Sequence, residues 1–233
     1  MAHGPDTEEL LRRIAEATTE LRVSGLNITS LPALPRRLQK LYCSHTQITS
    51  LPQLPAGLQN LDCSKTQLTS LPDLPTGLQR LHCSHTRITS LPELPAGLRS
   101  FYCHSTQLTS LPTLPRRLRV LYCCHTPLQS LPDLPAGLEE LYCAATRLRS
   151  LPELPPGLLE LECSTTPLLF QRIKGESIKD YNLRWDESRS KKRSIERTKS
   201  LAEDLIAATW HPDRFEAWCL DEEEKKENDT MIG

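Results

Sequence analysis

A 20-residue unit recurs seven times in phase, from Leu38 to a truncated copy ending near Leu168, and reads L-x-x-L-x-C-x-x-T-x-L/I-x-S-L-P-x-L-P-x-G/R. A strict period of this length means that each unit buries its apolar face only against its neighbours, so the chain has to stack as a solenoid. Within a unit, Leu41 and Cys43 alternate with Tyr42. That spacing points the first two inward from a short extended segment and Tyr42 outward. Stacked copies then form a parallel ladder with about 4.8 Å between neighbouring strands.

The second half of the unit, Leu51-Pro52-Gln53-Leu54-Pro55, excludes an interior helix, because proline lacks the amide hydrogen and pushes the preceding residue toward extended angles. Polyproline II is the conformation this segment predicts, with Leu51 and Leu54 closing the core from behind. The expected fold is an α/β repeat solenoid with parallel strands on its concave face, polyproline II on its convex face and helical caps at both ends. The caps follow from the open apolar edges that a solenoid leaves at its first and last coils.

Residues 1–22 form the expected N-terminal helical cap, with Asp6 and Glu9 as a capping box and Leu10, Leu11, Ile14, Ala15 and Leu21 as its apolar stripe. Residues 23–170 form the solenoid. Residues 171–222, where prolines give way to charge, form a C-terminal helical cap or tail, and residues 223–233 read as disordered.

The unit resembles the leucine-rich repeat, and within that family the short proline-rich class found in secreted bacterial effectors. The resemblance covers residues 26–168 and implies a horseshoe that binds protein. Where that class carries asparagine in its ladder, this chain has Thr46, Thr66, Thr86, Thr106, Thr126, Thr146 and Thr166. A threonine hydroxyl donates once and an asparagine amide twice, so a leaner hydrogen-bond ladder, helped by ordered water, is expected. Where the class carries Leu, Val or Ile, this chain has Cys43, Cys63, Cys83, Cys103, Cys123, Cys143 and Cys163.

The cysteine column admits three readings: small apolar core residues, disulfides between coils, or a metal site. Core packing suits the inward position. Side chains stacked in register point the same way and miss the torsion a disulfide requires. No Cys-x-x-Cys pair converges on a metal, and neither a metal nor any other cofactor is expected. Unpaired cysteines imply a reducing compartment. Residues 1–20 hold Asp6, Glu8, Glu9, Arg12 and Arg13 and no long apolar run, so no export signal is read, and cytoplasm, or else nucleus or virion, is the expected location.

The outward column runs Tyr42, Asp62, His82, Tyr102, Tyr122, Tyr142 and Glu162, holding four of the five tyrosines, and His45, His85, His104 and His125 flank it. Rigid aromatic groups are common anchors of binding surfaces, which makes Tyr42, His45, His82, His85, Tyr102, His104, Tyr122, His125 and Tyr142 the candidate partner-binding set. The same column could instead serve the sheet through cross-strand pairing, and the histidines could chelate a metal or sense pH. The outer strand positions Lys40 and Arg80, against Glu139, Glu140, Glu160 and Glu162, give a face that is basic at its start and acidic at its end. A net charge of −1 gives no global attraction to nucleic acid. Arg36-Arg37 and Arg116-Arg117 stand where other turns end in glycine; either pair reads as a solvated knob or as a grip for phosphate.

The tail adds motifs of its own. His211-Pro212-Asp213 resembles the chaperone-engaging loop of J-domains without the helices such a domain needs, and Cys219-Leu220-Asp221 resembles the Cys-x-Asp of bacterial ubiquitin ligases without their length. Arg189, Lys191, Lys192, Arg193, Arg197 and Lys199 read as a nuclear address, an anion patch or a solvated helix face. Taken with the tail residues Thr209 to Phe215 and Trp218 to Asp221, the cysteine and threonine repeats resemble, over nearly the whole chain, repeat proteins of giant DNA viruses, the Marseillevirus group in particular. That resemblance implies a viral protein of the infected cell. The expected function is non-enzymatic: a module binding a host or viral protein, or alternatively a structural component of a viral particle, with no membrane partner.

Overall fold

The computed structural model describes residues 5–166 and Asp180. The chain divides into two units, Met1–Tyr181 and Asn182–Gly233, and the described residues all belong to the first. The expected C-terminal cap, the His211 and Cys219 motifs and the basic run from Arg189 to Lys199 lie outside them.

Among the described residues one helix, α1 (Pro5–Glu16), precedes eight three-residue strands: β1 (Glu20–Arg22), β2 (Lys40–Tyr42), β3 (Asn60–Asp62), β4 (Arg80–His82), β5 (Ser100–Tyr102), β6 (Val120–Tyr122), β7 (Glu140–Tyr142) and β8 (Glu160–Glu162). They form a single parallel sheet in sequence order. Each residue pairs with its counterpart one repeat later, as in Leu41 with Leu61 and Tyr42 with Asp62. That register is what converts a sequence period into continuous columns of identical side chains.

The first strand lies inside the segment assigned above to the helical cap. Helix α1 ends at Glu16, and Leu21 is the buried centre of β1 rather than part of a helical stripe. The coil that β1 begins carries Val23, Leu26 and Ile28 where later coils carry Cys43, Thr46 and Ile48, which hid it from the consensus. In α1, Leu10 is buried and Ile14 packs on the core, as does Ala17 just beyond the helix, whereas Leu11 and Ala15 face solvent. The Asp6 and Glu9 side chains do not form a capping box either. Glu9 pairs with Arg12 and Arg13 along the helix, and Asp6 Oδ2 accepts the Asn27 backbone N–H at 3.1 Å, tying α1 to the first coil.

Inside the sheet, Leu38, Leu41, Cys43 and Ile48 and their repeats are buried in one cluster. From the other side Leu31, Leu54, Leu71, Leu111, Leu114, Leu131, Leu151 and Leu154 are buried, and Leu34, Leu51, Leu74, Leu91, Leu94 and Leu134 pack half-buried against them. Each fully buried leucine contributes about 1.5–3 kcal/mol, so stability accrues coil by coil. The proline-rich backs contain no helix or strand. Each ends in a tight turn in which a leucine N–H reaches back to a proline carbonyl, as in Leu58 to Pro55 at 3.0 Å. Gly57 does not take a positive φ in that turn, and a Cβ there would come no nearer than 3.8 Å to the Leu38 carbonyl oxygen. Arginine therefore fits at Arg37 and Arg117 without strain.

Candidate interaction surface

Two local devices hold the strands so that their outer side chains form a face. The first is the threonine of each unit. Its hydroxyl donates to the carbonyl of the cysteine three residues earlier, at 2.6–2.9 Å, in all seven units from Thr46 to Thr166. The threonines thus close the turn within each coil, each with a single donated hydrogen bond beneath it. A hydroxyl has one hydrogen, and the nearest buried acceptor is the carbonyl of its own turn.

The second device left no obvious mark in the sequence. His45, Lys65, His85, Ser105, His125, Ala145 and Thr165, the residues just before each threonine, all have φ between 52 and 56°. Left-handed backbone costs a residue with a Cβ about 1–2 kcal/mol. Part of that cost is offset by a hydrogen bond to the next coil, as from the His45 N–H to the Ser64 carbonyl at 3.0 Å. The one readable signal is Gly25 (φ 79°), which holds the same place in the first coil.

The thiol column behaves as the core reading requires. Cys43 through Cys163 are buried, those from Cys43 to Cys143 as free thiols, and Cys124, next to the column, is partly exposed. Burial pushes the Cys43 and Cys83 thiols up to about 12, and the remaining column thiols with described shifts also rise. Such thiols stay protonated and are poor nucleophiles. Among the described residues no group of three His, Cys, Asp or Glu side chains is arranged to hold a metal ion. No described helix is long and apolar enough to cross a membrane.

On the outer face the register aligns Arg22, Tyr42, Asp62, His82, Tyr102, Tyr122, Tyr142 and Glu162 in one file. From His82 to Tyr142 the rings touch in succession. His82 lies 5.3 Å from Tyr102, Tyr102 lies 5.0 Å from Tyr122, and Tyr122 stacks on Tyr142 at 4.0 Å and 19°. All four are half-buried, so the column braces the sheet and still presents ring surface. Tyr142 donates to Glu160, and Tyr122 approaches Glu140 at 3.5 Å. Hydrogen bonding to Glu160 raises the Tyr142 phenol above its ordinary value. Tyr42 stands apart from this run, its ring covered by the Arg22 guanidinium at 4.4 Å.

Two of the flanking histidines, His85 and His104, come together with His82 of the column. His104 lies 5.1 Å from His85, edge to face, and 6.0 Å from His82, and its Nδ1 is 2.8 Å from the Ser84 hydroxyl. Burial first, and then the charges of His85, His82 and His125, hold His104 at about 4. Burial lowers His82 as well, with Asp62 at 3.5 Å working against it. His45 and His125 are exposed and make no ring contact with this group. The charge gradient is weaker at its basic end than the repeats alone imply. The additional first strand brings Glu20 beside both Arg22 and Lys40.

Comparison with known proteins agrees with this geometry. A family model described as leucine rich repeats (2 copies) matches residues 36–76. The leucine-rich repeat domain of a Shigella effector is 31% identical, with a TM-score of 0.61 over 66% of this chain and 72% of that one. YopM from Yersinia enterocolitica WA-314 is 31% identical, with a TM-score of 0.59 over 65% of this chain and 38% of its own. YopM of Yersinia pestis, described as a leucine-rich effector protein, is 29% identical, with a TM-score of 0.62 over 70% of this chain and 55% of its own. The chain therefore spans 38% and 55% of the two YopM chains. No curated protein matches it in sequence. With the period, the parallel register and these likenesses together, the chain belongs to the leucine-rich repeat family.

Proposed function

We propose that the chain is a protein-interaction module and that its outward strand face, concave in a horseshoe of this kind, receives a host or viral protein. The observation that carries this reading is the run of half-exposed rings from His82 to Tyr142 on four consecutive strands. Rings already stacked and fixed to a sheet lose little entropy when a partner covers them. Interaction through such a surface is also what leucine-rich repeat proteins generally do. The free thiols of the core support a reducing compartment, which we take to be the interior of an infected cell.

The test is affinity capture with the full chain, comparing wild type with Tyr102→Ala/Tyr122→Ala and quantifying bound proteins by mass spectrometry. Partners held by the wild type should fall at least tenfold with the double variant, while circular dichroism stays the same and the melting midpoint falls only by the few degrees that the lost ring contacts account for. Capture that survives the double substitution would rule the tyrosine column out as the anchor.

A further inference from the structure

At the edge of the same face, four arginines share one concavity. Arg99 and Arg119 hold the same place on adjacent coils, their backbones joined by the Arg119 N–H to the Arg99 carbonyl at 2.8 Å. The turn before Arg119 adds Arg116 and Arg117, and the four line an open cavity of about 350 Å³ with Gly137 and Glu139. All four guanidinium-bearing residues are exposed. Glu139 is the one acid of the cavity and pairs with Arg119. Among the described residues no ion pair engages Arg99, Arg116 or Arg117. The cavity thus gathers four positive charges against one carboxylate, an arrangement that a multiply charged anion relieves.

We propose that this cavity binds the phosphate of a phosphorylated serine or threonine in the partner protein, a reading that rests on the interaction function proposed above. Guanidinium groups are planar forks that take phosphate oxygens in pairs, and clusters of them are a recurring means of reading phosphorylated segments. A polypeptide source, rather than a free anion, follows from what adjoins the cavity. Arg116 and Arg117 also line a larger concavity of about 790 Å³ with Leu94, Pro112 and Leu114, apolar ground for the residues beside a phosphate, and with Glu93, an acid that suits a basic residue in the same segment. The molecule supplies its own control. Arg36-Arg37 repeats the turn of Arg116-Arg117, but the places of Arg99 and Arg119 are held there by Thr19 and Gln39. One pair sits in a four-arginine cluster and the other stands alone.

The test uses the full chain and two randomised peptide pools that differ only in a central phosphoserine or serine, with binding read by fluorescence anisotropy at fixed ionic strength. The phosphoserine pool should bind at least tenfold more tightly. Arg116→Gln/Arg117→Gln should remove that difference, and Arg36→Gln/Arg37→Gln should preserve it. Equal binding of the two pools, a preference that survives at Arg116 and Arg117, or equal loss in both double variants would overturn the proposal, the last by reducing it to net charge. Inorganic phosphate is titrated in parallel while the arginine side-chain resonances are followed by NMR. Inorganic phosphate binding as tightly as the phosphoserine pool would overturn the polypeptide source. None of these measurements needs a captured partner, so failure of the arginine site and failure of the tyrosine face are separate results.

Discussion

Leu41 and Tyr42 are neighbours on one strand, yet the columns they head behave differently down the sheet. The inward file is nearly uniform, with leucine in every strand except for Phe101 in β5, and cysteine beyond it in every coil but the first. The outward file changes character from Arg22 and Asp62 to stacked tyrosines and then Glu162. Inward positions meet the same neighbours in each coil, so one solution serves all of them. Outward positions meet whatever lies outside the molecule, and their variety is where recognition can be written.

The sharpest way to break this contrast is to truncate one member of each file. Leu81→Ala should cost about 3 kcal/mol, because it opens a cavity between two coils that cannot collapse without losing register. Tyr122→Ala should cost about 1 kcal/mol, the worth of its ring contacts. Urea unfolding midpoints check both values, and equal losses would mean that the outward file is core after all.

A smaller effect separates the threonine's local role from a role between coils. Thr106→Val keeps the shape and removes the hydroxyl that donates to the Cys103 carbonyl at 2.8 Å. The expected loss is about 1 kcal/mol. Double-mutant cycles with Thr86→Val should show near additivity, since each hydroxyl bonds within its own coil.

The smallest effect is a pH dependence confined to the histidine cluster. His104 is held at about 4 in the folded chain against an ordinary value of 6.5. Between those values the unfolded chain binds a proton that the folded chain does not. This contribution is complete above pH 6.5 and is lost as pH falls toward 4. His104→Gln should flatten the dependence of the melting midpoint over that window. An unchanged slope would place the sensitivity on other groups.

How much of this the sequence disclosed follows the same division. Period and alternation gave the strands, the inward leucines and cysteines and the outward tyrosines, because each is a property of spacing. The first coil escaped, since Val23 and Leu26 replace the cysteine and threonine that defined the repeat. The left-handed residues escaped for a different reason. Lys65, Ser105 and Ala145 are not residues that advertise positive φ, and a hydrogen bond to the next coil offsets part of its cost there. The gathering of Arg99, Arg116, Arg117 and Arg119 was equally hidden, because it joins positions from different coils and from different halves of the unit.

The most direct test of the inward and outward division is thiol accessibility. The native chain is treated with iodoacetamide at pH 8, quenched, unfolded and labelled with a second reagent, and each cysteine is scored by mass spectrometry. Cys43, Cys63, Cys83, Cys103, Cys123, Cys143 and Cys163 should take only the second label. First-label modification of that column in the native chain, or disulfides linking its members, would contradict the account.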